Sequence, residues 1–413
     1  MSAPPEGAIQ STLKSRHGPL LTTYRWLPQG SSKAAAQPLR GIAIYAHGWG
    51  SHACYDLLTT SSMDDSAYGG AHTCYRGSFV EHLNKRLGLA VLAFDCQSMG
   101  RSEGQKGLRA YFYSLEHLVD DALDVLIKGC ADIRDDDLAN GSRKSFEKPE
   151  RVPVFLIGLS LGGGVMVRLA ARLCSMKNDY IVRDVGQGRD PVRLNVFHAA
   201  HPDKNEEQHN AEKSRAETNA APQPNGDGSS QVFEVRGLVT VSAAVTLERL
   251  KSHGINKYLS CIAPYARLCL PSWLELTQLP PNPKYAHKHR EHLEDSLTFK
   301  GPQRLNTVIE ILRHSQLLAD DPQKAELRKI TLPFLGFHAP SDRITDPKSL
   351  EVLRDGVGTR DVTVVWHCDG YHHLIQEPNN HMVRTRMKVW MKERLDDVEG
   401  MTSIQRERTE RLQ

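Results

Sequence analysis

The chain has 413 residues, of which 39% are hydrophobic and 24% charged, with a formal net charge of +3. That length suits one core domain carrying insertions better than two independent enzymes, and the apolar content is enough for a sizeable core. So small a net charge gives no support to nucleic acid or a strongly acidic surface as a partner.

In chain order, Ala8 to Lys14 and Pro19 to Leu27 read as an antiparallel hairpin on a sheet edge. Gly41 to Ala46 is the first short apolar run of a buried strand. It is followed by an amphipathic helix over Phe79 to Leu87, a strand over Leu89 to Phe94 and a helix over Leu115 to Lys128. Next come a strand over Pro153 to Gly158, a helix over Gly162 to Cys174 and a strand over Gly237 to Ser242. After these follow a helix over Leu305 to Leu317, strands over Leu332 to His338 and Val362 to His367, and a helix over His381 to Leu395. Most of the strands do not alternate apolar with polar residues, the pattern of central strands covered on both faces. Strands separated by helices imply a mostly parallel sheet with helices on both sides.

Two segments interrupt this order. Roughly Val185 to Gln231 is polar and poor in large apolar residues, too poor to offset its ordering entropy, and is expected to be largely disordered. Asp132 to Glu150 reads the same way. Between Thr246 and Lys300, by contrast, Tyr258, Leu259, Ile262, Tyr265, Leu268, Leu270, Trp273, Leu274, Leu276 and Leu279 crowd together. This segment is expected to form a small helical cap. The domain reading is therefore a core over 1–245 with the polar insertion at about 185–231, a cap over 246–300, and the rest of the core over 301–413.

The eight cysteines form no C-x-x-C pair, so a zinc or redox site has no support. The opening MSAPPEGAIQ lacks a basic patch and an apolar run, and no segment approaches the about 20 apolar residues of a membrane span. The expectation is a cytoplasmic protein with reduced thiols, touching a membrane only at its periphery.

Gly158-Leu159-Ser160-Leu161-Gly162 fits G-x-S-x-G between a strand and a helix that starts with small residues. A serine on such a sharp turn is presented at the top of the sheet of an α/β-hydrolase fold, and the flanking glycines let the neighbouring elements approach closely. A serine hydroxyl is a poor nucleophile unless a histidine takes its proton, and the histidine needs a carboxylate to fix its tautomer. In this fold the chain order is Ser, acid, His. Asp342 follows the strand of LPFLGFHAPS, and His372 follows the strand of VTVVWHCDGY. Asp346 is the rival acid, but it precedes Pro347 and the helical run KSLEVL and suits a helix cap. His373 is the rival base, and the residues alone do not choose between it and His372. For the oxyanion, Leu161 would supply one backbone N–H and Trp49, in the loop Ala46-His47-Gly48-Trp49-Gly50, the other. His47 in that loop reads as structural.

In these motifs the chain resembles the monoacylglycerol lipase and lysophospholipase group of α/β-hydrolases, related to the serine aminopeptidase S33 type. The likeness extends over nearly all of the chain outside the polar insertions. It rests on HGWG, GLSLGG, DCQSMGRSEG, DSLTFKGPQRLNTVIEILR, SDRITDP and GYHHL. The resemblance implies that Asp342 is the acid and His372 the base. Departures are Leu159 and Leu161 beside the serine, and Cys96, Ser98 and Met99 where the group usually has His, Gly and His. The resemblance implies cleavage of a single-chain acyl glycerol through an acyl-enzyme, without cofactor or metal. Lysophospholipids, protein-acyl thioesters and other carboxylic esters are alternatives for the same triad. An apolar cap would suit a lipid substrate, and its aromatic and leucine residues suit equally transient contact with a membrane surface or packing of the cap onto the core.

Overall fold

The computed structural model describes residues 4–28, 39–60, 71–139, 151–176, 181–183, 191–198, 231–248, 265, 269–276, 282–319 and 326–396. The strands are β1 (Ile9–Lys14), β2 (Leu20–Trp26), β3 (Gly41–Ala46), β4 (Thr59–Thr60), β5 (His72–Cys74), β6 (Leu89–Phe94), β7 (Arg151–Leu159), β8 (Ile181–Arg183), β9 (Val192–Val196), β10 (Val232–Val241), β11 (Phe334–His338) and β12 (Val362–Trp366). The helices are α1 (Ala53–Leu57), α2 (Phe79–Leu87), α3 (Leu115–Ala139), α4 (Leu161–Cys174), α5 (Ala286–Glu294), α6 (Leu305–Ala319), α7 (Lys348–Gly356) and α8 (Asn380–Asp396).

The main sheet runs in the order β1-β2-β6-β3-β7-β10-β11-β12, with β9 against the first half of β10 and β8 against β9. From β6 to β12 every neighbouring pair on that path is parallel, while β1, β2 and β6 are joined antiparallel. The N-terminal hairpin thus forms the expected sheet edge. Every residue of β3, β6 and β11 is buried, which is why their sequences read as continuous apolar runs.

The two-residue strand period divides each central strand between two cores. Ile42, Ile44 and Ala46 face a cluster shared with α3, α4 and Leu353 of α7. Ala43 and Tyr45 face the other, shared with α2 and with Val383, Met387, Trp390 and Met391 of α8. Chain order places β6 on one side of β3 and β7 on the other. The crevice between β3 and β7, at the C-terminal edge of the sheet, is therefore the topological switch point, where ligand sites of open α/β sheets form.

Two expectations need correction. Asp132 to Ala139 is not disordered but forms the last turns of α3. Ile133 is buried, Asp132 pairs with Arg25 and Lys128, and Arg134 donates to the Pro191 carbonyl at 3.2 Å. Tertiary packing here overrides a charged composition. The polar insertion also contains order: Val192 and Leu194 of β9 are buried, and the strand pairs with Val232–Val235. Residues 140–150, 184–190 and 199–230 lie outside the described residues, as do Tyr258, Leu259, Ile262, Leu268 and Leu279 of the expected cap. Cys54, Cys74, Cys96, Cys130, Cys174, Cys269 and Cys368 are free thiols. Among the described residues no helix is long and apolar enough to cross a membrane.

Candidate active site

Four loops meet at the C-terminal edge of the parallel strands, each following one strand. Ser160 follows β7, the 47–52 loop follows β3, Asp342 follows β11 and His372 follows β12. Ser160 sits between β7 and α4 at φ 54° and ψ −120°, outside the regions an L-residue favours, and makes no side-chain capping bond to the helix. Such a conformation costs about 1–3 kcal/mol and persists only where the surroundings enforce it. Here its N–H donates to the Val241 carbonyl at 3.0 Å, and its own carbonyl accepts from Ala244 at 2.9 Å and Gly164 at 3.2 Å.

Close approach explains the glycines of the motif. A Cβ on Gly158 would stand 2.3 Å from the Gly162 carbonyl oxygen, and one on Gly162 would stand 2.1 Å from the Ala46 carbonyl oxygen. Neither obstacle is a side chain that can swing aside. Gly162→Ala is therefore expected to destabilise the protein by about 1–3 kcal/mol. The effect would be read as a lower urea midpoint at unchanged m-value. An unchanged midpoint would mean that the β3–α4 approach is not tight.

Asp342 and His372 meet as the spacing suggested. His372 Nδ1 lies 2.8 Å from Asp342 Oδ2, with both side chains buried. The second oxygen, Oδ1, accepts the backbone N–H groups of Ile344 at 2.8 Å and Thr345 at 3.1 Å, and the Thr345 hydroxyl donates to Oδ2 at 2.8 Å. His338 Nε2 stands 3.2 Å from the same Oδ2. Burial pushes the Asp342 carboxyl up, but His372 and His338 outweigh it and hold it well below the carboxylate range. Burial alone would depress the His372 imidazole; Asp342, with Glu377 and Asp56, raises it above its ordinary value instead. An Nδ1–H held on Asp342 leaves Nε2 as the basic nitrogen.

The rivals are separated by geometry. Asp346 accepts from the Lys348 N–H at 3.1 Å just ahead of α7, whose N-cap position is Pro347 and not Asp346. His373 lies 4.0 Å from Asp56 and not on Asp342; burial and the adjacent His372 keep its imidazole neutral, at about 3. His47 is structural as expected. It is fully buried, its Nδ1 bonds the Gly48 carbonyl at 2.7 Å, and its Nε2 accepts from the Cys96 N–H at 2.9 Å.

The loop holding Trp49 is fixed by Asp56, a fully buried side chain that the sequence reading missed. Asp56 accepts from the Gly48 N–H at 3.2 Å, Ser51 Oγ at 2.6 Å and Tyr45 Oη at 3.1 Å. The Trp49 indole donates to the Ala110 carbonyl at 3.2 Å and meets the Phe299 ring edge-on at 5.6 Å. Leu161 is the first residue of α4, so its N–H has no acceptor within the helix.

The described residues between 282 and 300 are anchored beside these loops. Asp295, just after α5, accepts from His52 at 3.1 Å and His72 at 3.3 Å, all three buried. Phe299 N–H donates to the Gly50 carbonyl at 2.7 Å. Tyr265, Leu270, Trp273 and Leu276 are exposed.

The departures in sequence also find their places. Leu159 and Leu161 are buried in the two cores on either side of the sheet. Ser98, where a glycine is usual, has φ 60°, and its Oγ offsets the strain by accepting from the Tyr111 N–H at 2.8 Å and donating to the Tyr111 carbonyl. Among the described residues no cluster of His, Cys, Asp and Glu is arranged to hold a metal ion.

Comparison with known proteins places the fold. Residues 228–379 match the hydrolase family described as serine aminopeptidase, S33, a span that holds Asp342 and His372 but begins after Ser160. Over 100 residues the chain is 30% identical to the caffeoylshikimate esterase of Arabidopsis thaliana. That match covers 24% of this chain and 29% of the esterase, so the chain spans under a third of the curated relative it matches. The fold is similar to that of a soluble variant of the Saccharomyces cerevisiae monoglyceride lipase, at 14% identity and TM-score 0.57, covering 95% of this chain and 97% of the other. It is also similar to the monoacylglycerol lipase of Paleococcus ferrophilus, at 18% identity and TM-score 0.51, covering 91% and 99%. The chain thus has the α/β-hydrolase fold, and its segment over residues 228–379 is similar to the serine aminopeptidase, S33 family.

Proposed function

We propose that this chain hydrolyses monoacylglycerols to fatty acid and glycerol through an acyl-enzyme on Ser160. The observation that carries the reading is the strained Ser160 turn on the same sheet edge as the buried His372–Asp342 pair. In this reading Ser160 Oγ attacks the ester carbonyl while His372 Nε2 takes its proton. The backbone N–H groups of Trp49 and Leu161 hold the oxyanion; the Gly48 N–H is already committed to Asp56. The tetrahedral species collapses, and His372 returns the proton to the departing glycerol oxygen. A water then gives its proton to His372 and attacks the acyl carbonyl, releasing the fatty acid and restoring Ser160. Asp342 keeps the imidazole in one tautomer and stabilises its cation. No cofactor enters these steps.

The substrate class is supported by the exposed Tyr265, Leu270, Trp273 and Leu276, which suit an acyl chain or the lipid surface it comes from. The fold likeness to two monoacylglycerol lipases points the same way. The reading includes a cytoplasmic enzyme in transient contact with a membrane through its cap, with no nucleic-acid partner. A second reading, a carboxylesterase acting on smaller esters, is favoured by the caffeoylshikimate esterase match; lysophospholipids and acyl thioesters would use the same triad. Rates on 1-oleoylglycerol, lysophosphatidylcholine, palmitoyl thioester and a caffeoyl ester separate these. The highest kcat/KM is expected on the monoacylglycerol, by about tenfold or more. A preference of that size for any of the others would overturn the substrate assignment and leave the mechanism standing.

A further inference from the structure

Five residues beyond His372 stands Glu377, whose side chain has no solvent exposure. Its carboxylate accepts three consecutive backbone N–H groups. Oε2 takes that of Tyr371 at 2.7 Å, and Oε1 takes those of His372 at 2.7 Å and His373 at 2.8 Å. A buried carboxylate is costly unless hydrogen bonds replace its water, and three convergent N–H dipoles do so. The chain returns to make this contact by a turn in which the Glu377 N–H donates to the His373 carbonyl at 2.9 Å. On the other side, the His372 carbonyl accepts from Ser242 Oγ at 2.8 Å. Ser242 follows β10 at φ 47°. The backbone of His372 is therefore gripped at its N–H and at its carbonyl, while the imidazole is held separately by Asp342.

From this geometry we infer that Glu377 is a positioning residue: its carboxylate sets the 371–373 backbone so that the His372 imidazole stands on Asp342 with Nε2 free for the nucleophile. The inference rests on the reading of Ser160, His372 and Asp342 as the triad. His372 itself is faced by Asp342 from the loop after β11, Asp56 from α1, and Glu377 and His373 from its own loop, with His338 beyond Asp342. Three of these are carboxylates that favour the imidazolium against burial. Removing one negative charge must let His372 lose its proton at lower pH.

The test is Glu377→Gln in the full chain, assayed as pH profiles of ester hydrolysis. Glutamine offers one acceptor and turns an N–H₂ toward a backbone donor, so kcat is expected to fall about tenfold to a hundredfold with KM within about threefold. The acid limb of kcat/KM should move to lower pH, a shift that a merely structural residue would not cause. Glu377→Asp keeps the charge on a shorter side chain. It is expected to lose kcat by about tenfold with the acid limb in place, and it carries the test if the glutamine variant loses its folded near-UV signal. Wild-type kcat in either folded variant overturns the proposal, as does loss of the folded signal in both, which would assign Glu377 to the fold. If the wild-type protein has no Ser160-dependent ester hydrolysis, the triad reading itself fails and the proposal falls with it.

Discussion

Ser160→Ala is expected to lower kcat for ester hydrolysis by about 10⁴- to 10⁶-fold while leaving the folded protein intact. The two halves of that expectation come from different observations. The hydroxyl is the only atom of the side chain that the chemistry needs. Yet it makes no capping bond to α4, and the strained φ of 54° is enforced by backbone bonds to Val241, Ala244 and Gly164 that alanine keeps. The thermal midpoint should therefore stay within about 2 °C of the parent, since the exchange removes no burial and no hydrogen bond of consequence. Any residual rate should resemble what binding and the oxyanion donors supply alone. Turnover within tenfold of the parent, measured on the same ester and corrected for trace wild-type enzyme, would mean that another group attacks the carbonyl.

Asp342→Asn is expected to cost about 10⁴-fold in kcat with little change in KM. Asp342 Oδ1 is occupied by the N–H groups of Ile344 and Thr345, so the amide oxygen of asparagine must take that position. Its N–H₂ then faces His372 Nδ1, where Oδ2 now accepts at 2.8 Å. An N–H donor there requires an unprotonated Nδ1, so the proton moves to Nε2 and the base is lost. Steady-state kinetics on the purified variant checks this. The control is Asp346→Ala, which removes the acceptor of the Lys348 N–H at the start of α7. It should cost about 0.5–2 kcal/mol of stability with kcat close to that of the parent. If Asp342→Asn kept its rate and Asp346→Ala lost it, the two carboxylates would have to exchange roles.

Much of this was legible in the sequence, for reasons that particular residues make plain. β3, β6 and β11 are buried on both faces, so they appear as uninterrupted apolar runs, and α2 carries its own boundaries in Ser78 and Gly88. G-x-S-x-G was readable because two of its positions admit no Cβ: the carbonyls of Gly162 and Ala46 stand in the way. That His372 lies on Asp342 and not on Asp346 fits the sequence, where Pro347 after Asp346 marks the start of a helix.

What sequence could not supply was contact between distant parts of the chain. Asp56 and Glu377 carry no motif signal, because a carboxylate that accepts backbone N–H groups looks like any other charged residue until the loop it closes is seen. The pairing of Asp295 with His52 and His72 spans more than two hundred positions. α3 outran its apolar pattern because Asp132 and Arg134 find partners in β2 and ahead of β9. Ser98 shows the converse: the missing glycine looked like a change near the site, but its Oγ bonds the Tyr111 backbone and simply holds a left-handed turn.

The central claim is that Ser160 is the nucleophile, and covalent labelling tests it most directly. The wild-type protein would be treated with a fluorophosphonate, digested and mapped by mass spectrometry. The adduct is expected on the peptide containing Ser160 and on no other, and it should vanish in Ser160→Ala and be strongly slowed in Asp342→Asn. An adduct on a different serine, or none on the folded protein, would contradict the account.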